Sequence, residues 1–402
     1  MSHSLPVYMK TLLLLLPVFV FALGASTARA AELEYSGWIP YWAAKDGAND
    51  ARRHIKTFAE VNPFTYTLRS NGTLNDAGKM DASHWKRLIS TAQRRDVRVV
   101  PTIMSSDGAT IDRILRDPAL RQKHINEITE LVEDEGYDGI DIDYESKWAE
   151  TKLYFSLFLA ELKVALGDKW LSCTIEPRTP VPDRYTGTPP AAAYIFANDF
   201  PTIGSACDSV RLMTYDQQTI DQKLNPLNAD APYIPLADPR WTEKVVELAA
   251  LDIPKDKLVI GVATYGREWD VTVSPAGKFT YKHVASFNPG YVKQVERKYR
   301  VKRSTNSAGE QSVTFLPRGG DVSQRTLADL APSGTPKGEL VAQGAKVYAR
   351  LHNEPVTFRF LSWSDAGALA GHVSLAERLG VRGIAVFKID GSEDKGTWSA
   401  LK

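Results

Sequence analysis

Residues 137–145 have the sequence Tyr137-Asp138-Gly139-Ile140-Asp141-Ile142-Asp143-Tyr144-Glu145. In an extended strand, successive side chains point to opposite faces. The pattern therefore places three carboxylates, those of Asp141, Asp143 and Glu145, on one face at steps of roughly 6.6–7 Å. Like charges this close raise the pKa of at least one carboxyl group. Proteins use such crowding where chemistry needs a protonated acid near neutral pH.

Two other interpretations of this segment are an acidic metal-binding loop and a run of solvated acids. A calcium loop needs a tight glycine turn between its ligands. Here apolar and acidic residues alternate strictly, which is the pattern of a half-buried strand. We therefore predict a strand whose acids serve chemistry.

Short β-rich apolar runs alternate with helical patterns along the chain, which indicates a parallel sheet with crossover helices. The predicted strands are Tyr35–Trp42, Glu60–Leu68, Arg98–Met104, Gly139–Tyr144, Trp170–Glu176, Ser209–Tyr215, Lys257–Thr264 and Gly383–Ile389. The predicted helices include Ala82–Arg95, His124–Glu135, Glu150–Leu166 and Thr242–Leu251. In the third of these helices, the apolar residues at helical spacing are Leu153, Leu157, Leu159, Leu162 and Leu166. Eight such strands, each followed by a crossover, predict the α/β class and a (β/α)8 TIM barrel.

One interval interrupts this alternation, between the seventh strand and a helix predicted over Trp363–Leu379. It contains an alternating segment from Gln311 to Leu316 and a Pro/Gly-containing linker around Pro332–Gly338. We predict a small α+β insertion over residues 271–360, which forms a wall beside the barrel mouth. The catalytic domain that contains it is predicted over residues 31–402.

The first 30 residues have the pattern of a signal peptide. Lys10 precedes an apolar run from Thr11 to Leu23, and Ala28-Arg29-Ala30 is a small-residue cleavage signal. The run is too short to span a bilayer comfortably. We therefore expect cleavage after Ala30 and export to the periplasm or the medium, with no membrane attachment afterwards.

Charge and cysteine content restrict the class of protein further. The chain has 49 basic and 48 acidic residues, which argues against nucleic-acid binding driven by general charge. Its only cysteines, Cys173 and Cys207, are too few for a disulfide framework or a clustered metal site. An exported setting permits a disulfide between them, and two buried free thiols are the alternative.

The carboxyl ends of the strands are where a barrel of this kind builds its active site. Glu145 lies at such an end, with Asp143 and Asp141 progressively deeper. The residues that end the other strands are Tyr41, Trp42, Tyr66, Glu176, Tyr215, Asp216, Tyr265, Arg267 and Trp269. Aromatic faces beside polar groups suit sugar rings, which have apolar C–H faces and hydrogen-bonding rims. Each aromatic residue alone fits a core position, but their recurrence at successive strand ends favours a sugar site.

On these residues, the sequence resembles glycoside hydrolase family 18. The family's fourth-strand signature, Asp-x-x-Asp-x-Asp-x-Glu, is filled by Asp138, Asp141, Asp143 and Glu145. Its sixth-strand Met-x-Tyr-Asp and seventh-strand Tyr-Gly-Arg are present as residues 213–216 and 265–267. Residues 37–42 and 63–66 resemble the bacterial branch that includes spore-cortex-lytic N-acetylglucosaminidases.

The resemblance implies a retaining hydrolase of polysaccharides that contain β-1,4-linked N-acetylglucosamine, namely peptidoglycan or chitin and their oligomers. It also implies substrate-assisted catalysis through the 2-acetamido group, without a metal or other cofactor. Glu145 would be the general acid and then the base, its pKa raised by the acids beneath it. Asp143 would bind the acetamido N–H, Asp141 would share a proton below it, and Tyr215 would orient the acetamido oxygen. Asp138 and Gly139 would be structural parts of the motif.

Two departures from the family pattern affect substrate position more than the reaction. The third strand ends Met104-Ser105-Ser106-Asp107-Gly108, not the Ser-x-Gly-Gly common in chitinases. Phe387 stands where many members have a tryptophan under the cleaved sugar, so we expect it to stack there with less area. The alternative function is a non-catalytic, lectin-like envelope protein of the same fold, against which the intact acid at position 145 argues. We expect a monomer whose partner is the polysaccharide.

Overall fold

The computed structural model describes residues 1–4, 32–317 and 322–401. The predicted signal peptide and its cleavage site lie outside the described residues, except for the first four. Within the described part, the helices are all too short or too polar to cross a membrane.

The strands of the described residues, in chain order, are β1 (Glu34–Pro40), β2 (Glu60–Leu68), β3 (Leu74–Asp76), β4 (Arg98–Val99), β5 (Thr102–Ser105), β6 (Gly139–Tyr144), β7 (Trp170–Ile175), β8 (Ser209–Leu212), β9 (Leu258–Ala263), β10 (Gly266–Val273), β11 (Phe279–Phe287), β12 (Ser304–Thr305), β13 (Gln311–Phe315), β14 (Val356–Trp363) and β15 (Gly383–Phe387). The first sheet has the order β1-β15-β9-β8-β7-β6-β5-β2, with β3 and β4 also paired to β2. It closes on itself because β1 pairs in parallel with both β2 and β15. This closed parallel sheet confirms the predicted (β/α)8 TIM barrel.

The helices of the described residues are α1 (Ala44–Arg53), α2 (Ser83–Gln93), α3 (Gly108–Arg116), α4 (Pro118–Asp134), α5 (Lys152–Leu166), α6 (Phe200–Ala206), α7 (Leu224–Leu227), α8 (Pro239–Ala249), α9 (Gly290–Tyr299), α10 (Gln324–Leu330), α11 (Leu340–His352), α12 (Ala366–Leu379) and α13 (Thr397–Ala400). Those that follow barrel strands bury one face against the outside of the sheet. On β6, Ile140, Ile142 and Tyr144 supply that apolar contact, as the alternation predicts.

Only β2 and β6 match their predicted bounds at both ends, and the third and sixth barrel strands differ most from theirs. The third is split into β4 and β5 at Val100 and Pro101, because proline has no N–H to donate to a neighbouring strand. The sixth, β8, ends at Leu212, because the N–H groups of Thr214 and Tyr215 donate to carbonyls two residues back, at 2.7 and 2.8 Å. These tight turns bend the chain at the barrel mouth.

The apolar face predicted for α5 is wrong at its first two positions. Leu153 and Leu157 are 61% and 39% exposed. Phe155 and Phe158 are buried instead, and both pack against the ring of Tyr144. The larger aromatic side chains therefore decide which face of the helix turns inward.

The barrel interior holds a buried ion-pair network beneath the mouth. Arg211 of β8 donates to Glu60 of β2 and lies 3.5 Å from the Asp141 carboxylate. Glu60 also accepts from Arg98 at 3.1 Å. Burial alone would raise the pKa of Glu60, but Arg211 and Arg98 hold that pKa below its ordinary value. Removing one member would leave an uncompensated buried charge.

An α+β insertion follows the seventh barrel strand. Its antiparallel sheet has the order β11-β10-β14-β13-β12, and α9, α10 and α11 lie in the same interval. The sheet spans residues 266–363, so it begins earlier and ends later than the predicted 271–360. Trp363, predicted to open a helix, is the last residue of β14, and α12 begins at Ala366. Pairing of Trp363 with both Gly266 and Gln311 explains why it is extended.

The two cysteines, whose pairing the sequence leaves open, form a disulfide. Cys173 belongs to β7, and Cys207 directly follows α6. Their Cα atoms are 6.0 Å apart, and the bond joins residues separated by 34 positions. Closing a loop of this length typically contributes about 4 kcal/mol by restricting the unfolded chain.

Candidate active site

A cavity of about 440 Å³ opens at the carboxyl ends of the barrel strands. The predicted site residues that line it are Trp42, Asp143, Glu145, Tyr215, Asp216, Tyr265, Arg267 and Phe387. The other lining residues are Trp38, Phe64, Met213, Ser286, Phe287, Asn288 and Lys388. Seven of the fifteen lining residues are aromatic and seven are polar or charged, and such a combination is typical of a small-molecule or sugar site.

Phe387, the last residue of β15, is the centre of the aromatic part. Its ring stacks on Tyr215 with centroids 5.4 Å apart and planes 15° apart. The rings of Trp38, Phe64 and Tyr265 approach it nearly edge-on, at 5.9, 6.2 and 6.3 Å. Contacts with four aromatic rings thus fix the orientation of the Phe387 side chain. It lies at the position where the sequence predicts a ring that stacks against the bound sugar.

Asp141 lies below the cavity and does not line it. Its carboxylate accepts hydrogen bonds from Trp38 (3.1 Å), Thr102 (2.8 Å) and Thr174 (3.0 Å). The charge of Asp141 raises the pKa of Asp143, and the shared proton between the two carboxyl groups stays a prediction.

Asp143 is buried directly above, and its Oδ1 atom has no hydrogen-bond partner among the described residues. Burial raises the pKa of Asp143 well above its ordinary value, and the charges of Glu145 and Asp141 raise it further. A buried oxygen without a hydrogen-bond partner destabilises the folded protein. The Oδ1 atom of Asp143 is therefore available to accept a hydrogen bond from a bound ligand.

Glu145 follows the last residue of β6 and is half-buried. Burial raises its pKa, and the charges of Glu176 and Asp216 add to that, while Lys147 opposes them. The raised pKa suits a general acid. The charges of Asp143 and Glu145 also interact directly. Glu176 and Asp216, which follow β7 and β8, therefore add to the column of acids that the sequence argument considered.

Tyr215 and Asp216 lie in the turn after β8. Asp216 has a left-handed backbone with φ of 56°, which is unusual outside glycine. Arg267 of β10 donates to both of its carboxylate oxygens, at 2.9 and 2.5 Å, and so holds the turn. Burial, with Tyr265, Asp143, Glu145 and Asp216 nearby, raises the pKa of Tyr215, so its hydroxyl stays a proton donor.

Tyr66, predicted to bind substrate, lies outside the barrel wall. Its hydroxyl is 3.0 Å from that of Tyr137, and its ring belongs to the apolar core between strands and helices. The cause is a bulge in β2, where Phe64 pairs with inward-facing Thr102 but Tyr66 pairs with outward-facing Ile103. The extra residue moves Tyr66 to the other face.

Trp269 and Tyr41 also lie away from the cavity lining. Trp269 is buried in the core of the insertion, where its ring meets His283 edge-on at 5.1 Å. Tyr41 is 38% exposed beside Trp42, whose ring lies 5.0 Å from its own. Trp42 itself is 54% exposed at the cavity rim.

Asp138 and Gly139 fix β6 against its neighbours. The Asp138 carboxylate accepts the N–H of Val99 at 2.8 Å, which ties β4 to β6. A Cβ atom on Gly139 would lie 2.0 Å from the carbonyl oxygen of Trp170 in β7. Both residues hold the strand that carries the acids.

The sequence predicts that the insertion forms a wall beside the barrel mouth, but it does not identify the residues of that wall. Ser286, Phe287 and Asn288 reach the cavity from the end of β11, and Lys388 donates to Asn288 Oδ1 at 3.0 Å. No local pattern marks these positions, since the antiparallel sheet brings them in from far along the chain. Trp38 is different, because it lies in the segment 37–42 already singled out.

Comparison with known proteins gives independent evidence on the family and the fold of this chain. The sequence model of "Glycosyl hydrolases family 18" matches residues 38–392. A cortical fragment-lytic enzyme of Bacillus anthracis is 27% identical over 231 residues, which are 56% of this chain and 49% of that protein. Chitinase A1 of Niallia circulans is 28% identical over 335 residues, 64% of this chain and 46% of that protein. The chain thus spans about half the length of the curated relatives it matches.

Among solved structures, the spore cortex-lytic enzyme SleL of Bacillus cereus has the same fold. Its TM-score is 0.66 at 19% identity, over 92% of this chain and 74% of that one.

Proposed function

The chain belongs to family 18 of the glycosyl hydrolases, and we propose that it cleaves polysaccharides containing β-1,4-linked N-acetylglucosamine with retention of configuration. The observation that carries this proposal is the placement of Asp143 and Glu145 on one strand, facing one cavity with Tyr215. The substrate class is peptidoglycan or chitin and their oligomers. Of these, we favour peptidoglycan fragments because of the resemblance to the cortex-lytic branch.

Glu145 performs the proton transfers in the proposed reaction. In the first step its carboxyl group gives a proton to the glycosidic oxygen as the bond from that oxygen to the anomeric carbon breaks. In the second step the resulting carboxylate takes a proton from water, which attacks the same carbon. The raised pKa of Glu145 favours the protonated form that the first step needs.

The substrate itself supplies the nucleophile. The carbonyl oxygen of its 2-acetamido group attacks the anomeric carbon and forms a cyclic oxazolinium intermediate, which water then opens. The Oδ1 atom of Asp143 accepts a hydrogen bond from the acetamido N–H, and the Tyr215 hydroxyl donates a hydrogen bond to the acetamido oxygen. Two displacements at one carbon return the original configuration.

The test is to incubate the protein with N-acetylglucosamine oligomers and with purified peptidoglycan, and to analyse the new reducing ends. Cleavage of either supports the enzyme, and the relative rates identify the better substrate. Binding of both without any product would instead establish the lectin-like alternative.

A substrate with free amines tests the substrate-assisted step. We expect glucosamine oligomers of equal length to be cleaved at least about 10²-fold more slowly, because they lack the intramolecular nucleophile. The measurement is the rate of reducing-end release at substrate saturation, with the N-acetylated oligomer as control. Equal rates on both oligomers would contradict the proposed nucleophile.

We also propose that the chain is exported and acts as a monomer. The apolar run before Ala30 and the disulfide between Cys173 and Cys207 support export, since disulfides persist in oxidising compartments. We expect the mature protein to begin at Ala31. N-terminal sequencing of the secreted or periplasmic fraction checks this, and a protein retained in the cytoplasm with Met1 would contradict it.

A further inference from the structure

A partly buried polar cluster of Glu176, Lys147 and Asn198 lies beside Glu145, outside the residues that line the cavity. Glu176, which follows β7, accepts from Asn198 Nδ2 at 2.9 Å and lies 3.4 Å from Lys147 Nζ. The Lys147 side chain is 1% exposed, donates to the Tyr144 carbonyl and lies 4.6 Å from the centre of the Phe155 ring. A buried lysine is costly unless an opposite charge compensates it, and Glu176 is that charge.

The same glutamate holds the backbone that follows the acid. Ser146 has a left-handed φ of 56°, a conformation that is unfavourable for residues other than glycine. Its N–H donates to Glu176 Oε1 at 2.8 Å. One carboxylate therefore binds the turn directly after Glu145 with one oxygen and Lys147 with the other.

We propose that Glu176, with Lys147 as its counter-ion, is a positioning residue that fixes the Glu145 turn and balances the charge around Glu145 so that it stays protonated. The proposal rests on the proposed hydrolase function of this site. Neither residue lines the cavity, so neither is offered as a group that touches substrate.

The charges around Glu145 explain why this pair controls it. The titratable and charged groups that face Glu145 are Asp143 from β6, Lys147 from the turn, Glu176 from β7, and Tyr215 and Asp216 from the turn after β8. Asp216 is already compensated by Arg267. After burial itself, Glu176 is the strongest influence that raises the pKa of Glu145, and Lys147 is the one that lowers it.

Glu176 can exert this influence only while ionised. Burial alone would raise its own pKa, but Lys147, Asn198 and the Ser146 N–H hold that pKa below its ordinary value. Burial lowers the pKa of Lys147, and the charge of Glu176 opposes that shift. With both groups ionised, the pair is a negative and a positive charge whose effects on Glu145 have opposite signs. Changing one charge at a time should move the protonation of Glu145 in opposite directions.

The experiment compares pH profiles of kcat/KM for the wild type, Glu176→Gln, Lys147→Met and the double variant. Glu176→Gln leaves Lys147 uncompensated, so the alkaline limb, where Glu145 loses its proton, should move to lower pH. Lys147→Met leaves Glu176 uncompensated, so the limb should move to higher pH. The alkaline limb of the double variant should lie between those of the two single variants. Because the double variant leaves no unpaired charge, it is also the variant that folds most readily. Glu243→Gln, at an exposed ion pair with Arg378, is the matched control and should leave the profile unchanged.

Positioning is tested by comparing Glu176→Ala with Glu176→Gln. The amide can still accept from Ser146, and Asn198, whose Oδ1 has no partner among the described residues, can turn to accept from the new NH₂. We expect the alanine variant to lose at least about tenfold in kcat at its own optimal pH, with KM changed less. The glutamine variant should recover most of that loss.

A second readout separates this proposal from the proposed function. The Glu145 carboxyl can be titrated by ¹³C NMR in protein labelled at glutamate, with Glu145→Gln identifying its signal. Opposite shifts of that titration in Glu176→Gln and Lys147→Met would support the charge balance even if no substrate were cleaved. An unmoved titration and an unmoved alkaline limb in both variants, with activity merely lowered, would overturn it.

Discussion

Glu145→Gln is expected to reduce kcat by about 10²–10⁴-fold while leaving the affinity for N-acetylglucosamine oligomers nearly unchanged. The amide has the size and shape of the carboxyl group, so the cavity and its aromatic contacts persist. It cannot give a proton to the glycosidic oxygen, and it cannot later take one from water. The loss should therefore appear in turnover and not in binding.

The measurement pairs reducing-end release with isothermal titration of the same oligomer. Glu243→Gln makes the same chemical change at a surface ion pair and should behave as wild type in both. A Glu145→Gln variant that still turned over at the wild-type rate would assign the acid to another residue.

The second large effect is on stability. Arg211→Leu is expected to lower the free energy of unfolding by about 3–5 kcal/mol at neutral pH. It removes the cation between Glu60 and Asp141, both fully enclosed in the barrel. Arg98 remains beside Glu60, but Asp141 keeps only neutral donors among its hydrogen-bond partners.

The same variant should show a pH dependence of defined sign. The pKa of folded Glu60 lies below its ordinary value, so this ion pair stabilises the fold above the unfolded-state pKa and loses its effect as pH falls through the folded pKa. The difference between wild type and Arg211→Leu should therefore shrink in acid. Urea unfolding at neutral and acidic pH measures this difference, with Arg378→Leu as the exposed control, which should change the free energy of unfolding little at either pH. A difference that stays constant into acid would contradict the ion-pair account.

The strand pattern was enough to predict the barrel and its acids. The bounds of β2 and β6 agree with the prediction at both ends. Their signal is local, because alternation or a continuous apolar run is written in adjacent residues. The predicted third strand is interrupted at Val100 and Pro101, because the missing N–H of proline splits it into β4 and β5.

The misplaced site residues fail for non-local reasons. In a regular strand, Tyr66 would point to the same face as Phe64, into the barrel. Only the register of β2 against β5 shows the bulge that turns Tyr66 outward. Trp269 belongs to a sheet whose partners lie up to about ninety positions away, as in its pairing with Phe360. Likewise, the influence of Glu176 on Glu145 depends on two strands meeting, which spacing along the chain does not specify.

The pairing of Gly266 with Trp363 has a consequence for how this enzyme family diversifies. The chain leaves the barrel and returns to it beside one residue pair, so the two chain connections between the insertion and the barrel lie together. Residues can be gained or lost inside the insertion without shifting the register of any barrel strand. Because Ser286, Phe287 and Asn288 form one wall of the cavity from within the insertion, natural selection can reshape the cavity there while β6 and its acids stay fixed.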